Sequence, residues 1–220
     1  MAKQKVIFQC TECGFRCSKW AGQCAGCEQW NTLVEVIDEV LPTASRFAGF
    51  AGRAGQQGVV SLSEVSADEI SRFSSGLDEL DRVLGGGIVP GSAVLIGGDP
   101  GIGKSTLLLQ AMVALSQQLK TLYITGEESI QQLSLRSKRL CLKSDKLRVL
   151  SETAVTRIFS IAQEMQPKVI VIDSIQTVYS DQLQSAPGAV GQVRECAAQL
   201  VRFAKQTQTT IFLVGHVTKD

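Results

Sequence analysis

The sequence predicts an α/β protein: a core built on a parallel central sheet, preceded by a small cysteine-rich ribbon. Three observations predict it. From about Glu69 onward, apolar strand-like runs alternate with helical patterns, the signature of a parallel α/β sheet. One of those runs leads directly into a glycine-rich loop and a helix, GDPGIGKST. Ahead of them, five of the seven cysteines crowd between Cys10 and Cys27.

At 220 residues, with 44% hydrophobic and 20% charged side chains, the composition suits one sizeable core with a small appendage. Disordered and fibrous classes are excluded. The longest apolar runs, such as Val169 to Ile172 and Ile211 to Val214, fall far short of the ~20 residues a membrane span needs. The N-terminus MAKQKVIFQC lacks the apolar stretch of a secretory signal, so the chain is expected in the cytoplasm, away from any membrane. With 22 basic and 21 acidic residues the net charge is +1, which gives no global field for a polyanion. Any nucleic-acid contact must be local.

Taken in order, residues 1–36 hold the cysteine cluster between two strand-like runs, KVIFQ and NTLVEV. Residues 37–68 are rich in Ala, Gly, Ser and Gln with little periodicity, as a flexible linker is. Residues 69–220 carry the alternating core. Strands are expected at Ala93 to Gly97, Thr121 to Thr125, Leu147 to Leu150, Lys168 to Asp173 and Thr210 to Gly215. Helices are expected at Lys104 to Gln118, Ser129 to Leu142, Ala154 to Glu164 and Ala189 to Gln206. The last strand ends five residues before the terminus with no helix to cover it, so the chain is expected to be the N-terminal portion of something longer.

Cys10 and Cys13 form one C-x-x-C, Cys24 and Cys27 another, and Gly14 and Gly26 are placed to supply the tight turns. Two such knuckles match the all-thiolate tetrahedron of a structural zinc site, and about thirty residues are too few to make a core without metal. Trp20 and Trp30 are expected to pack over the site. Cys17 offers a fifth thiol that could replace one of the four; its spacing from Cys13 is not that of a knuckle, and it is read as a spare. A redox pair is the rival explanation, but it normally sits in a thioredoxin-like context that is missing here. Cys141 and Cys196 lie alone in apolar-periodic surroundings and read as buried thiols.

After the strand AVLIG, the pattern G-x-x-x-x-G-K-[ST] falls on Gly98, Gly103, Lys104 and Ser105. The glycines let backbone N–H groups close around phosphate oxygens, the following helix offers its positive N-terminus, and Lys104 reaches the β/γ-phosphates. Ser105 is expected to ligate Mg²⁺. Asp173 ends the buried run VIVID at the edge where open α/β sheets hold ligands, and is expected beside Ser105 as the second magnesium residue. After TLYIT come Glu127 and Glu128; Glu127 is favoured as the carboxylate that activates the attacking water, and Glu128 as one that favours the next helix. His216, after the last strand, is either a γ-phosphate sensor or a hydrogen-bonded structural residue.

The segment FSSGLDELDRVLGGGIVPGSAVLIGGDPGIGKSTLLLQ resembles the RecA/KaiC/RadA group, in which a short helix and a glycine turn lead into the first strand. With CTECGFRCSKWAGQCAGCEQWNTLVE, YITGEES, VIVIDSIQT and VGHVTKD added, the chain is similar to the RadA (Sms) branch, bacterial ATPases of DNA repair and recombination, everywhere but in the linker. The resemblance implies a RecA-like P-loop ATPase core. It places ATP and magnesium on Gly98, Asp99, Pro100, Gly101, Ile102, Gly103, Lys104, Ser105, Thr106 and Asp173, catalysis on Glu127, and zinc on Cys10, Cys13, Cys24 and Cys27. It also implies a homo-hexamer at full length, single-stranded and branched DNA as partners, a recombinase such as RecA, and ATP-driven branch migration. The family continues into a Lys-Asn-Arg-Phe-Gly motif and a Lon-protease-like domain, and neither occurs in this sequence.

Two stretches are candidates for DNA contact. Ser180 to Gln192 is a polar, glycine-containing connection whose affinity would lean on glutamine and backbone groups. Arg136, Lys138, Arg139, Lys143, Lys146 and Arg148 make a basic stretch, read either as a solvated helix face or subunit contact or as a DNA patch, and Arg16 and Lys19 of the ribbon are comparable. Two functions compete: a DNA-dependent ATPase motor, and an ATP-regulated adaptor whose ribbon docks another recombination protein. KaiC-like autophosphorylation is a third.

Overall fold

The computed structural model describes residues 6–13, 16–17, 20–37, 61 and 71–216. The expected linker 37–68 therefore lies outside the described residues except for Ile37 and Ser61, and so do Gly14, Lys19 and the last four residues of VGHVTKD. The chain divides into two compact units, Met1–Ala48 and Gly49–Asp220.

In the first unit, strands β1 (Val6–Cys10), β2 (Arg16–Cys17) and β3 (Leu33–Ile37) form an antiparallel sheet in the order β2-β1-β3. Cys10, Cys24 and Leu33 are its buried centre, with Phe8, Cys17 and Cys27 packed against them. The tryptophans do not join that centre. Trp20 is 58% exposed and Trp30 69% exposed, and both indoles flank Gly22. The tight second knuckle takes its left-handed residue from Glu28 (φ 59°), not from Gly26.

The second unit begins with the short helix α1 (Asp78–Val83) and continues as β4 (Ala93–Gly98), α2 (Lys104–Ser116), β5 (Thr121–Thr125), α3 (Ile130–Arg139), β6 (Arg148–Ser151), α4 (Val155–Met165), β7 (Val169–Asp173), α5 (Val190–Thr207) and β8 (Thr210–His216). The five strands are parallel in the order β4-β8-β7-β5-β6. The three central strands are covered on both faces, so their sequences read as unbroken apolar runs. On one face Leu122, Ile124, Ile170, Ile172, Ile211 and Leu213 pack with Val155, Ile158, Leu200 and Phe203 of α4 and α5. On the other, Tyr123, Val169, Val171, Phe212 and Val214 pack with Leu108, Leu109 and Met112 of α2 and Leu133 of α3.

Each predicted strand and helix of this unit is present, with ends shifted by a few residues at most. Helix α3 starts at a capping box in which the Ser129 hydroxyl accepts from Gln132 N and the Gln132 side chain accepts from Ser129 N. Cys196 is buried as expected, but Cys141 is exposed: it follows α3 with φ 54°, which turns it out of the helical face. Among the described residues no helix is long and apolar enough to cross a membrane.

Candidate functional site

Parallel strands bring their C-terminal ends to one edge, and register decides which residues meet there. Gly98 of β4 lies opposite His216 of β8, and Thr125 of β5 opposite Asp173 of β7. That edge gathers the glycine-rich loop, Glu127, Asp173 and His216.

The loop reaches α2 through Gly101 (φ 81°) and Gly103 (φ 100°), left-handed conformations that favour glycine. Helix α2 begins at Lys104 with no side-chain cap and no acidic residue in its first turn, so its free N–H groups and positive end are left for an anion. Gly98 also has a positive φ (158°), and the one close contact a Cβ would meet, Ile102 Cδ1 at 2.4 Å, is the end of an exposed side chain that can swing away. Lys104 is only 6% exposed and is folded back across the loop. Its ammonium donates to Gly98 O (2.7 Å) and Asp99 O (2.8 Å) and lies 3.4 Å from His216 Nδ1, so none of these partners is anionic.

The imidazole continues the chain. His216 Nε2 is 3.2 Å from Glu127 Oε1 and 3.4 Å from Oε2, and the buried Ser174 hydroxyl donates to Glu127 Oε1. Glu128 turns elsewhere, pairing with Arg136 of α3 while its backbone bonds the Thr125 hydroxyl. The two adjacent carboxylates are thus separated: Glu127 faces the edge and Glu128 braces α3. Arg136 is thereby withdrawn from the basic stretch, of which Lys138, Arg139, Lys143, Lys146 and Arg148 remain exposed.

Asp173 is 6% exposed and accepts a 2.5 Å hydrogen bond at Oδ2 from the hydroxyl of fully buried Tyr123. Burial, followed by the charge and hydrogen bond of Asp173, raises the Tyr123 pKa far above the usual phenol value, so the hydroxyl stays a donor. Sequence reasoning missed Tyr123 and Ser174. The available signals were a lone polar ring atom in the apolar run TLYIT and a serine directly after Asp173. With Ser105 in the first turn of α2, the Asp173 carboxylate and a serine hydroxyl give the hard oxygen donors magnesium prefers.

The connection after β7 is held from within. Gln192 of α5, 1% exposed, accepts from Ser180 N and donates to the carbonyls of Ser180, Leu183 and Ser185. The expected glutamine contact to DNA is therefore unavailable at Gln192, whose amide already holds the loop. Asp181, Gln182 and residues 184–188 are the exposed part.

In the ribbon, the sulfurs of Cys10, Cys13, Cys24 and Cys27 all lie within 4.8 Å of one another, with Cys10–Cys27 at 3.6 Å and Cys13–Cys24 at 3.5 Å. A tetrahedral zinc with Zn–S bonds of ~2.3 Å separates its sulfurs by about 3.8 Å, so the group fits the ion. Gly26 N donates to Cys24 Sγ (3.3 Å), an outer hydrogen bond that suits a thiolate. The Thr32 hydroxyl, with backbone N–H groups, lowers the Cys10 thiol to about 6. Cys17 is outside the four-sulfur group and points its thiol at Phe8 O (3.8 Å). A separate apolar hollow of about 610 Å³ lies between α1 and the edge strand β4, lined by residues such as Leu80, Val83 and Leu95.

Residues 60–220 match the family model described as an AAA domain, and residues 8–35 match one described as a rubredoxin metal binding domain. The chain is 58% identical over its whole length to DNA repair protein RadA of Pseudomonas aeruginosa, covering 48% of that protein. It is 55% identical to DNA repair protein RadA of Escherichia coli, again over all of this chain and covering 49% of the relative. The chain thus spans about half the length of these relatives. Among solved structures, a KaiC-like protein of the archaeon Pyrococcus horikoshii matches 67% of this chain and 71% of its own, with a TM-score of 0.56 and 21% identity, which shows the shared RecA-like P-loop fold.

Proposed function

This chain belongs to the AAA domain family, and we propose that it is the N-terminal, nucleotide-driven part of a DNA-dependent ATPase that processes homologous-recombination intermediates and promotes branch migration in DNA repair. The observation that carries this reading is the hydrogen-bonded group of Lys104, His216 and Glu127 beside the uncapped N-terminus of α2.

In this reading the loop Gly98 to Thr106 cradles the phosphates of ATP. Lys104 leaves the carbonyls of Gly98 and Asp99 for phosphate oxygens, a stronger, anionic class of acceptor. Ser105 and Asp173 hold magnesium, which when bound neutralises charge on the β- and γ-oxygens. Glu127, oriented by Ser174 and His216, takes a proton from the attacking water as its oxygen bonds the γ-phosphorus. The bond to the β–γ bridging oxygen breaks, and ADP and inorganic phosphate leave. His216, no longer opposite the Lys104 ammonium, senses the γ-phosphate. The ribbon's zinc, held by Cys10, Cys13, Cys24 and Cys27, is structural because four thiolates leave no open position. At full length the protein is read as a cytoplasmic homo-hexamer acting on single-stranded and branched DNA with a recombinase such as RecA; likeness to proteins named for DNA repair supports the DNA-repair part of that reading.

The exposed Trp20 and Trp30 favour a second reading, an ATP-regulated adaptor whose ribbon docks another recombination protein without motor activity. ATP hydrolysis measured with and without single-stranded DNA separates the two, using this chain, its Lys104→Ala variant and a form extended beyond Asp220. Lys104-dependent turnover that DNA stimulates in the extended form, and that salt weakens steeply, is the expected result for the motor. Turnover in the extended form that ignores DNA sinks the motor and leaves the adaptor.

A further inference from the structure

Tyr123 lies in β5, on the sheet face covered by α2, with its ring enclosed among apolar side chains and no exposure to solvent. A phenylalanine would fill nearly the same volume there. The extra hydroxyl is a liability in such a place unless something accepts its hydrogen, because an unpartnered polar group away from water costs ~1–3 kcal/mol. The partner is Asp173 Oδ2, 2.5 Å away. Register explains the reach: Tyr123 pairs with Val171, so its ring points along the same face as Asp173 two residues further on.

An ionised carboxylate accepts and never donates, so a tyrosine hydroxyl taking Oδ2 fixes the carboxylate plane and reserves one oxygen. Oδ1 accepts no hydrogen bond among the described residues. Glu128 and Arg136 stand near enough to act on the Tyr123 hydroxyl electrostatically, but they pair with each other and leave Asp173 to the tyrosine. We propose that Tyr123 is a positioning residue for magnesium: it holds Asp173 so that Oδ1 is presented to the ion or to its bound water. The inference rests on the reading of Asp173 as the magnesium carboxylate, and it adds a group that touches neither nucleotide nor metal.

The test is the magnesium-dependent part of nucleotide affinity, measured by titrating a fluorescent methylanthraniloyl-ADP into the chain over a series of MgCl₂ concentrations and in EDTA. Tyr123→Phe deletes one oxygen and keeps the ring. The expected result is a half-saturating Mg²⁺ concentration raised about tenfold, the usual order for loss of an outer-shell partner, with affinity in EDTA unchanged. Asp173→Asn, measured alongside, is expected to remove most of the gain that Mg²⁺ brings. If Asp173→Asn loses that gain while Tyr123→Phe titrates like the wild type, the positioning role is wrong and the magnesium reading of Asp173 survives. If Asp173→Asn keeps the gain, the magnesium reading falls and takes the inference with it. Equal loss of affinity by Tyr123→Phe in EDTA and in Mg²⁺, with a lowered melting temperature, overturns the inference in favour of a purely structural hydroxyl.

Discussion

The ammonium of Lys104 and the imidazole of His216 face each other across the sheet edge, with Nζ 3.4 Å from Nδ1. The other ring nitrogen, Nε2, lies 3.2 Å from Glu127 Oε1, so one imidazole touches both the lysine and the carboxylate. The same histidine thus contacts the lysine proposed to bind phosphate through one nitrogen and the proposed general base through the other. A phosphate group that draws Lys104 away removes the first contact and leaves the second.

Replacing Lys104 tests that arrangement at its start. Lys104→Ala removes a charged donor, and charge-assisted hydrogen bonds are worth ~1.5–3 kcal/mol. ATP affinity is therefore expected to fall at least about tenfold, read by isothermal titration, since 1.4 kcal/mol is a factor of ten. Retained affinity would mean that the loop backbone and the α2 N-terminus bind the phosphates unaided.

Glu127 and Glu128 differ by a single position in sequence and are separated by structure, so they predict opposite phenotypes. Glu127→Gln is expected to keep nucleotide affinity and lower the ATPase kcat of the extended protein about 100-fold, the usual scale of a general base. Glu128→Gln breaks the pair with Arg136 and is expected to lower stability without a specific loss of kcat. A kinetic defect confined to Glu128→Gln would reverse the assignment.

Both tryptophans of the chain are in the ribbon, so tryptophan fluorescence reports on that unit alone. Metal analysis is expected to find one zinc per chain. A strong chelator should remove it and shift the Trp20 and Trp30 emission, because the metal supplies folding free energy to so small a unit. Cys24→Ser should lose the zinc and Cys17→Ser should keep it. Zinc lost equally from both variants would place Cys17 in the ligand set.

Acid should loosen the start of α4 before it touches the sheet. Glu152 Oε1 accepts from Ala154 N (3.0 Å) and Thr153 N (2.8 Å), and its other oxygen pairs with Arg157. The Ala154 N–H, outweighing the cost of burial together with the Thr153 N–H and the Arg157 charge, holds this carboxyl below the usual range. A depressed folded pKa gives stability that is complete above the unfolded value and is lost as pH falls through the folded one. Glu152→Gln is therefore expected to cost about 0.5 kcal/mol at neutral pH, with the difference from wild type shrinking as pH falls through the lowered folded pKa in urea unfolding.

Much of this was legible in the chain because parallel sheets and phosphate loops leave patterns that survive without tertiary detail. The apolar runs from Val169 to Ile172 and Ile211 to Val214 fit strands covered on both faces, and the loop from Gly98 to Ser105 pointed to one sheet edge as the candidate site. What stayed hidden depended on contacts between distant segments. Tyr123 meets Asp173 across fifty positions, and Glu127 is distinguished from Glu128 only by Ser174 and His216. The tryptophans misled because size and hydrophobicity favour burial, whereas thirty residues around four sulfurs offer almost no interior to occupy.

Gly126 joins the two carboxylate-bearing strand ends. Its N–H donates to Asp173 O (2.9 Å), and a Cβ on it would lie 2.0 Å from Thr177 Oγ1 and 2.8 Å from Thr177 Cβ. Its φ is not in the left-handed region, so the demand for glycine is steric and can be relieved at the other side of the contact. Gly126→Ala is expected to cost ~2 kcal/mol by overpacking, and to lower kcat because it pushes Glu127 away from Ser174. Thr177→Ala removes the nearer of the two clashing atoms at the expense of the bond from the Thr177 hydroxyl to Ser174 O (2.8 Å). The double variant should therefore recover at least about 0.5 kcal/mol relative to the sum of the single changes, the threshold above which a cycle reports real coupling. Strict additivity in urea unfolding would show that the close approach of β5 to the turn after β7 is not what requires glycine at this position.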